Sequence, residues 1–151
     1  MIRKAKLKDS QEILKIITFW AKKGKVLERS LNYIYENLRN FWVYIDNEEI
    51  IGCCALGVVG WDSLGEVKSL GIVEKYQGQG IGKKLVVKCV EEASELGLEK
   101  VFALTYVPEF FINLGFERCD RKNLPHKVWS DCIHCVHFPD CKEVEVILKL
   151  K

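Results

Sequence analysis

The clearest chemical pattern in the chain is a glycine-rich segment, Gln77-Gly78-Gln79-Gly80-Ile81-Gly82, followed by Lys83. It lies between a strand-like stretch and a helical pattern, so it includes the first N–H groups of a helix, which have no partners inside that helix. Glycines let the backbone approach phosphate oxygens closely, and the helix dipole attracts an anion. The segment therefore predicts a diphosphate site, with a simple Gly-rich helix cap as the alternative.

The spacing of these glycines argues against two common nucleotide-binding loops. It does not match the G-x-x-x-x-G-K-[ST] pattern of nucleoside triphosphatases. Nor does an acidic residue end a second strand about 20 residues on, as a dinucleotide-binding fold requires. We therefore expect a phosphate-containing ligand of another class.

A second pattern is formed by cysteines near the end of the chain. Cys132, Cys135 and Cys141 have the spacing C-x2-C-x5-C, with His134 and His137 nearby. Three thiolates and an imidazole can hold structural zinc, but the second C-x-x-C pair that would strengthen this signal is missing. We favour reduced thiols or a local disulfide here, which means no metal, and keep zinc as the alternative.

The other four cysteines lie in apolar patterns. Because they resemble small hydrophobic residues in their surroundings, we expect them to pack in the core. They are Cys53, Cys54, Cys89 and Cys119. The odd total of seven and the lack of a signal-peptide pattern argue against a secreted disulfide scaffold.

The elements that position these residues can be predicted from hydrophobic periodicity. The predicted strands are residues 2–5, 41–45, 50–59, 66–73, 100–106, 116–119 and 144–150. A first helix should open at the pair Asp9 and Glu12 and end near Gly24. The other helices are a second one after Ser30, with Tyr35 facing inward, and two more at residues 80–96 and 108–114. This order predicts an α+β fold with a mixed, largely antiparallel central sheet flanked by helices.

Composition narrows the class of protein. The chain has 151 residues, 48% hydrophobic and 29% charged, which suits a globular fold. We expect one domain over residues 1–151, with an irregular excursion at about 120–142. A net charge of +2 does not favour nucleic acid, and the absence of a long apolar run predicts no membrane partner and a cytoplasmic location.

Two segments resemble signatures of the GNAT superfamily of N-acetyltransferases. Gln77-x-x-Gly80-x-Gly82 resembles the acetyl-CoA pyrophosphate signature, and Phe110-Phe111-Ile112-Asn113-Leu114-Gly115-Phe116 resembles the second signature. Further segments, including Leu27-Glu28-Arg29-Ser30, Glu66-Val67-Lys68-Ser69-Leu70 and Leu124-Pro125-His126-Lys127, are similar to short stand-alone amino-acid N-acetyltransferases. Members of that group are N-acetylglutamate synthases.

The resemblance implies transfer of an acetyl group from acetyl-CoA to the α-amine of glutamate, or of glutamine, as the first step of arginine biosynthesis. Contacts to acetyl-CoA are then expected from β-strand residues before the loop and from the loop itself. They are Leu70, Ile72, Gln77, Gly78, Gln79, Gly80, Ile81, Gly82 and Lys83.

Acetyl transfer to an amino acid needs a base that takes the ammonium proton and side chains that bind the carboxylate. The resemblance makes Glu66 the candidate base, acting through water, with a solvent-facing strand carboxylate as the alternative. Arg29 can bind a carboxylate through two N–H groups. Lys68, Ser69 and Lys127 are candidates for the remaining contacts, against plain surface roles.

The acid that protonates the leaving thiolate is less defined. Many GNAT enzymes have a tyrosine in the second signature, and the matching residue here is Phe111. Tyr106 is the available substitute, with a buried packing tyrosine as the alternative. A thiolate can also leave without a dedicated acid.

Three points stay open at this stage. The acceptor can be glutamate, glutamine or another small amine or a peptide, because one methylene changes binding by only about 1–3 kcal/mol. A non-catalytic acetyl-CoA-binding regulatory module is a further alternative. A homodimer is expected only from the family, and feedback inhibition by arginine is undetermined.

Overall fold

The structure is a computed structural model that describes residues 1–59, 63–119 and 143–150. Within these residues the chain forms seven strands and four α-helices, where apolar residues alternate or repeat at helical spacing. The strands are β1 (Ile2–Lys4), β2 (Phe41–Asp46), β3 (Glu49–Val59), β4 (Leu64–Ile72), β5 (Lys100–Thr105), β6 (Glu117–Arg118) and β7 (Val144–Lys149). The helices are α1 (Ser10–Lys22), α2 (Leu31–Glu36), α3 (Ile81–Leu96) and α4 (Pro108–Ile112). Short 3-10 turns lie at Leu7–Asp9, Leu38–Asn40 and Glu74–Tyr76.

The described strands form a seven-stranded sheet in the order β1-β2-β3-β4-β5-β7-β6. The pairs β1–β2, β2–β3, β5–β7 and β6–β7 are antiparallel, and β4 runs parallel to β5. Asn47 and Glu48, with φ of 50° and 65°, join β2 to β3 in a two-residue hairpin turn that suits the twist of the strands. The predicted mixed, largely antiparallel fold is confirmed.

The chain forms two compact units, of which the first comprises Met1–Gly57 and Val67–Glu92. Its core packs α1 and α2 on the apolar side chains of β2 and β3. Gly71 on β4 allows close packing of α1, because a Cβ there would lie 2.8 Å from Cγ2 of Ile16 and 3.2 Å from Cδ1 of Trp20. The Trp20 indole also donates a hydrogen bond to the Ile72 carbonyl at 2.8 Å. These contacts hold α1 against β4.

The second unit comprises the described residues of Val58–Glu66 and Ala93–Lys151. Its aromatic core includes Phe111 of α4, whose ring contacts those of Phe110 and Phe116 at centroid distances of 5.1 and 5.2 Å. After α4 the chain turns at Gly115, with φ of 102°, and the Phe116 N–H bonds back to the Phe111 carbonyl at 3.1 Å. A glycine with positive φ after the last turn is a common way for a helix to end.

Both predicted helix starts are in the right place, but only one of the two predicted side-chain caps is present. Ser30 caps α2 by accepting a hydrogen bond from the Tyr33 N–H at 3.0 Å. Asp9 does not cap α1 with its side chain. Its carboxylate instead accepts from the Arg3 guanidinium and the Lys6 N–H, both at 2.7 Å. Burial acts to raise the pKa of Asp9, but these hydrogen bonds outweigh it and the pKa is lowered.

One inward-facing residue was also predicted wrongly. Tyr35 of α2 is exposed to 46%, whereas Ile34 is fully buried and Tyr33 is half-buried. The helix has only six residues, so fewer than two turns were present to define its buried face.

Two negative findings concern the described residues alone. None of their helices is long and apolar enough to cross a membrane. They also contain no cluster of three or more potential metal ligands. Cys132, Cys135 and Cys141 lie outside the described residues, so the alternatives for them stay predictions, as does the single domain.

Candidate active site

The predicted phosphate loop joins β4 to α3 through two left-handed residues. Gly78 and Gly80 have φ of 79° and 80°, values that side-chain-bearing residues rarely adopt. The first bond into α3 runs from the Lys84 N–H to the Gly80 carbonyl at 3.2 Å. The N–H groups of Ile81, Gly82 and Lys83 therefore precede the helical ladder and remain available to an anion.

The start of α3 lies close to the sheet because of Gly52 on β3. A Cβ at this position would lie 2.8 Å from Cδ1 of Ile72, 3.1 Å from Cδ1 of Leu85 and 3.3 Å from Cγ2 of Ile81. A side chain here would force these three residues to shift. Gly52 thus helps to set the position of the first turn of α3 over β3.

Strand β4 contains a residue with an unusual backbone conformation three positions before its end. Ser69 has φ of 55°, a left-handed conformation inside a strand, which costs a non-glycine residue roughly 1–2 kcal/mol. Two thiols of β3 donate hydrogen bonds to this part of β4. Cys53 Sγ lies 3.5 Å from the Ser69 carbonyl, and Cys54 Sγ lies 3.8 Å from the Lys68 carbonyl. The local turn of β4 thus has specific partners on its neighbour.

These thiols are protonated structural groups rather than nucleophiles. Burial raises the pKa of Cys53 to about 12. The hydrogen bond with Cys89 and burial raise the pKa of Cys54 well above its ordinary value. Cys53, Cys54 and Cys89 are all fully buried, in line with the predicted packing role.

Two of the predicted carboxylate-binding residues meet at one aromatic ring in the first unit. The guanidinium carbon of Arg29 lies 4.1 Å from the ring centroid of Tyr33, and Nζ of Lys68 lies 5.7 Å from the same centroid. Both side chains are half-buried, and the Lys68 stem passes Gly57, where a Cβ would lie 3.3 Å from its Cε. The arrangement places two cationic side chains beside one aromatic ring.

The candidate base belongs to the second unit. Glu66 is only 2% exposed and pairs in register with Phe102 of β5. The alternative of a solvent-facing strand carboxylate is therefore wrong. A carboxylate is rarely buried unless it has a partner or a function.

The candidate acid and its surroundings also lie in the second unit. Tyr106 follows β5 and is half-buried. Beside it the Val107 N–H donates to Oγ1 of buried Thr105 at 2.9 Å, which fixes the backbone ahead of Pro108. Phe111, at the position of the usual tyrosine, is 4% exposed and packs against aromatic rings.

The remaining predicted residues are placed as follows. Leu70 is half-buried, and Ile72 is 8% exposed with its carbonyl bonded to Trp20. Gln77, Gly78, Gln79, Gly80 and Lys83 are exposed on the loop and the first turn of α3. Lys127 lies outside the described residues, and its role stays a prediction.

Sequence reasoning missed Tyr33 and Gly52. No spacing rule links Tyr33 to Lys68, which is 35 residues later on another element. A signal for Gly52 did exist, because a glycine inside a strand often marks close approach of another segment.

Comparison with known proteins identifies the family. The acetyltransferase (GNAT) domain family matches residues 37–118, which is more than half of the chain. An uncharacterised N-acetyltransferase of Chlorobaculum tepidum is 34% identical over 99% of this chain and 96% of its own. An amino-acid acetyltransferase of Mycobacterium tuberculosis is 31% identical over 87% of this chain and 76% of its own.

Solved structures agree with the fold. A Mycobacterium tuberculosis structure in complex with CoA has a TM-score of 0.84 at 28% identity and covers 100% of this chain and 99% of its own. N-acetylglutamate synthase from Neisseria gonorrhoeae, complexed with CoA and N-acetyl-glutamate, has a TM-score of 0.90 at 24% identity. This chain spans 35% of that longer protein, and its likeness concerns the fold alone. The CoA bound in these neighbours agrees with the expected acetyl-CoA donor, and the chain belongs to the GNAT family of acetyltransferases.

Proposed function

We propose that this protein transfers an acetyl group from acetyl-CoA to the α-amine of an amino acid, with L-glutamate as the first candidate acceptor and L-glutamine as the second. The reaction would serve the first step of arginine biosynthesis in the cytoplasm. The observation that carries the proposal is the meeting of Arg29 and Lys68 at the Tyr33 ring, 4.1 and 5.7 Å from its centroid. Two cations at one place suit a small acceptor that carries carboxylates.

The donor side of the proposal rests on the loop before α3. Amides of Ile81, Gly82 and Lys83 bind the diphosphate of acetyl-CoA, and the left-handed Gly78 and Gly80 turn the backbone toward it. Leu70 and Ile72 provide backbone groups for the pantetheine arm. Each amide bond to a charged oxygen contributes on the order of 1.5–3 kcal/mol, so a few of them suffice for firm binding.

The acceptor side needs carboxylate contacts and a base. Arg29, Lys68, Ser69 and Lys127 hold the carboxylates, and Glu66 takes the ammonium proton through a water molecule. The amine nitrogen then forms a bond to the thioester carbonyl carbon, and the carbon–sulfur bond breaks. The thiolate leaves with a proton from Tyr106 or from water. The phenolate or hydroxide left behind takes the second proton of the amine nitrogen, which becomes an amide, and Glu66 returns its proton to solvent.

The proposal is tested by thiol release from acetyl-CoA with a panel of acceptors. The panel contains L-glutamate, L-glutamine, L-aspartate, the other common amino acids, a peptide with a free amino terminus and a polyamine. We expect the highest kcat/KM for L-glutamate or L-glutamine. Release with the peptide or polyamine alone would support a different acceptor class, and no release with any amine would indicate a non-catalytic module.

Arg29→Ala tests the carboxylate contact directly. Loss of a charge-assisted hydrogen bond should raise KM for the amino acid roughly 10- to 100-fold while kcat at saturating acceptor stays the same. Arg39→Ala is the matched control, because Arg39 is an exposed arginine of the same unit. Equal KM values in the two variants would remove Arg29 from the acceptor site.

Glu66→Gln tests the base in the same assay. The amide keeps the shape of the side chain but cannot take the proton, so kcat should fall roughly 10²- to 10⁴-fold. Glu99→Gln is the control, since Glu99 is exposed and belongs to the same unit as Glu66. A kcat of the Glu66 variant close to that of the control would reject the assignment.

A further inference from the structure

Tyr33 is held in a fixed position by both ends of its short helix. Its N–H donates to the Ser30 hydroxyl at 3.0 Å, and its carbonyl accepts from the side-chain amide of Asn37 at 3.0 Å. The next residue, Ile34, is fully buried in the core of the first unit. The ring of Tyr33 is therefore attached to a backbone segment with little freedom to shift.

The ring lies beside two cations that come from different parts of the chain. Arg29 precedes α2, and Lys68 belongs to β4. Both side chains are long and have many rotamers of similar energy. The negative face of an aromatic ring attracts both cations and limits the positions that each can take.

The phenolic oxygen does not explain why a tyrosine stands here. It is buried and forms no hydrogen bond within the described part of the chain. Burial of a hydroxyl without a partner is unfavourable, so its presence does not stabilise this local structure. In the described contacts with Arg29 and Lys68, Tyr33 takes part through its ring.

We infer that Tyr33 is a positioning residue for the acceptor site, and that its ring holds Arg29 and Lys68 in the arrangement that binds the carboxylates of the acceptor. This inference rests on the proposed function. It adds a residue that does not touch the reacting atoms but sets the affinity for the acceptor through its two cationic neighbours.

The test compares three substitutions by their effects on KM and kcat. Tyr33→Leu removes the ring and should raise KM for the acceptor about tenfold, with kcat and KM for acetyl-CoA nearly unchanged, because the loss affects acceptor binding alone. Tyr33→Phe keeps the ring and should restore the wild-type KM. Tyr35→Leu is the matched control, because it changes the same residue type on the same helix at a position exposed to 46%.

A double-mutant cycle shows whether Tyr33 acts through Arg29. If it does, adding Tyr33→Leu to Arg29→Ala should raise KM by clearly less than tenfold, because part of the loss has already occurred. Fully additive effects would contradict the inference. Urea unfolding of each variant checks folding, and Tyr33→Met replaces Tyr33→Leu if the latter is unstable.

The outcomes separate this inference from the proposed function. If the wild-type protein turns over no amino acid, the proposed function fails first. If it turns over glutamate and Arg29→Ala raises KM but Tyr33→Leu does not, the role of Tyr33 alone is overturned. A KM that rises as much in Tyr33→Phe as in Tyr33→Leu would also overturn it, since the hydroxyl would then be the working group.

Discussion

Cys53 and Cys54 are adjacent on β3, and each thiol bonds to a different carbonyl of β4. The two carbonyls belong to Lys68 and Ser69, where the left-handed φ of Ser69 interrupts the extended backbone. A buried carbonyl without a partner would be costly, and the thiols provide one. Single residues of β3 thus support the conformation that precedes the phosphate loop.

At the residue scale, the Cys53 thiol makes stability depend on alkaline pH. Its pKa is raised to about 12 in the folded protein from a usual value of 9.0, because the thiolate would be buried. Its stabilising contribution is complete below pH 9 and is lost as the pH rises toward 12, since only the unfolded chain releases the proton. The free energy of unfolding should therefore fall by about 1.4 kcal/mol between pH 8 and pH 10 on account of this group.

The measurement compares urea unfolding of the wild-type protein and Cys53→Ala at both pH values. The variant lacks the thiol, so its free energy of unfolding should fall by about 1.4 kcal/mol less between pH 8 and pH 10 than that of the wild-type protein. Identical pH dependence in the two proteins would show that Cys53 ionises in the folded state.

At the scale of elements, the loop between β4 and α3 needs a glycine at position 80 because of the backbone conformation there, not because a side chain would lack room. A Cβ on Gly80 would have no atom within 4 Å, yet the φ of 80° is unfavourable for any residue with a side chain. A substitution there changes the direction of the N–H groups at the start of α3. Gly24, after α1, has the same two properties, with φ of 72° and no atom within 4 Å of a Cβ.

Because Gly80 and Gly24 share these two properties, substitutions at the two positions form a matched pair for testing the phosphate loop. Gly80→Val and Gly24→Val should lower stability by similar amounts, roughly 1–2 kcal/mol each. Only Gly80→Val should weaken CoA binding, by at least about tenfold, because it removes one well-aligned amide bond or more. Isothermal calorimetry with CoA checks this, and equal affinities in the two variants would contradict the assignment of the loop.

The two signature segments depend on local bonds, whereas the position of α3 depends on a contact between distant residues. The glycine loop has the conformation that its sequence predicts, and so does the ending of α4 at Gly115. Both depend on bonds between residues at most five positions apart. The position of α3 over β3 depends instead on Gly52, which lies 29 residues before Ile81.

At the scale of the whole molecule, family membership is established along most of the chain. Relatives of similar length cover it almost completely, and a CoA-bound neighbour covers 100% of it. The identity of the acceptor is a separate question, since it depends on a few side chains, for which Arg29 and Lys68 are the candidates. Assembly as a homodimer remains a prediction.

Binding of CoA should stabilise the entire folded chain. A ligand that binds only the folded state raises the free energy of unfolding, by about 2.7 kcal/mol when its concentration is 100 times Kd. The urea midpoint should therefore rise with CoA concentration in the wild-type protein. The rise should be smaller in Gly80→Val at the same concentration, and an unchanged midpoint in the wild-type protein would indicate that CoA does not bind.

The sequence by itself determined the features that depend on neighbouring residues. It predicted the helix start at Ser30, the strands on either side of residues 46–49, the glycine loop and the family, because each is specified by residue types at short, regular spacing. It failed at Asp9, whose carboxylate bonds to Arg3 and Lys6 rather than to α1. A local rule could not choose among several possible partners for one carboxylate.

Only the tertiary structure decided the burial of Glu66 and the meeting of Arg29, Tyr33 and Lys68. Alternation along β4 shows which residues share a face, but it does not show which face is covered or which helix residue lies against it. The physical reason is that contacts between distant residues depend on how helices pack on the sheet. That packing is set by the shape of many side chains together rather than by any short pattern.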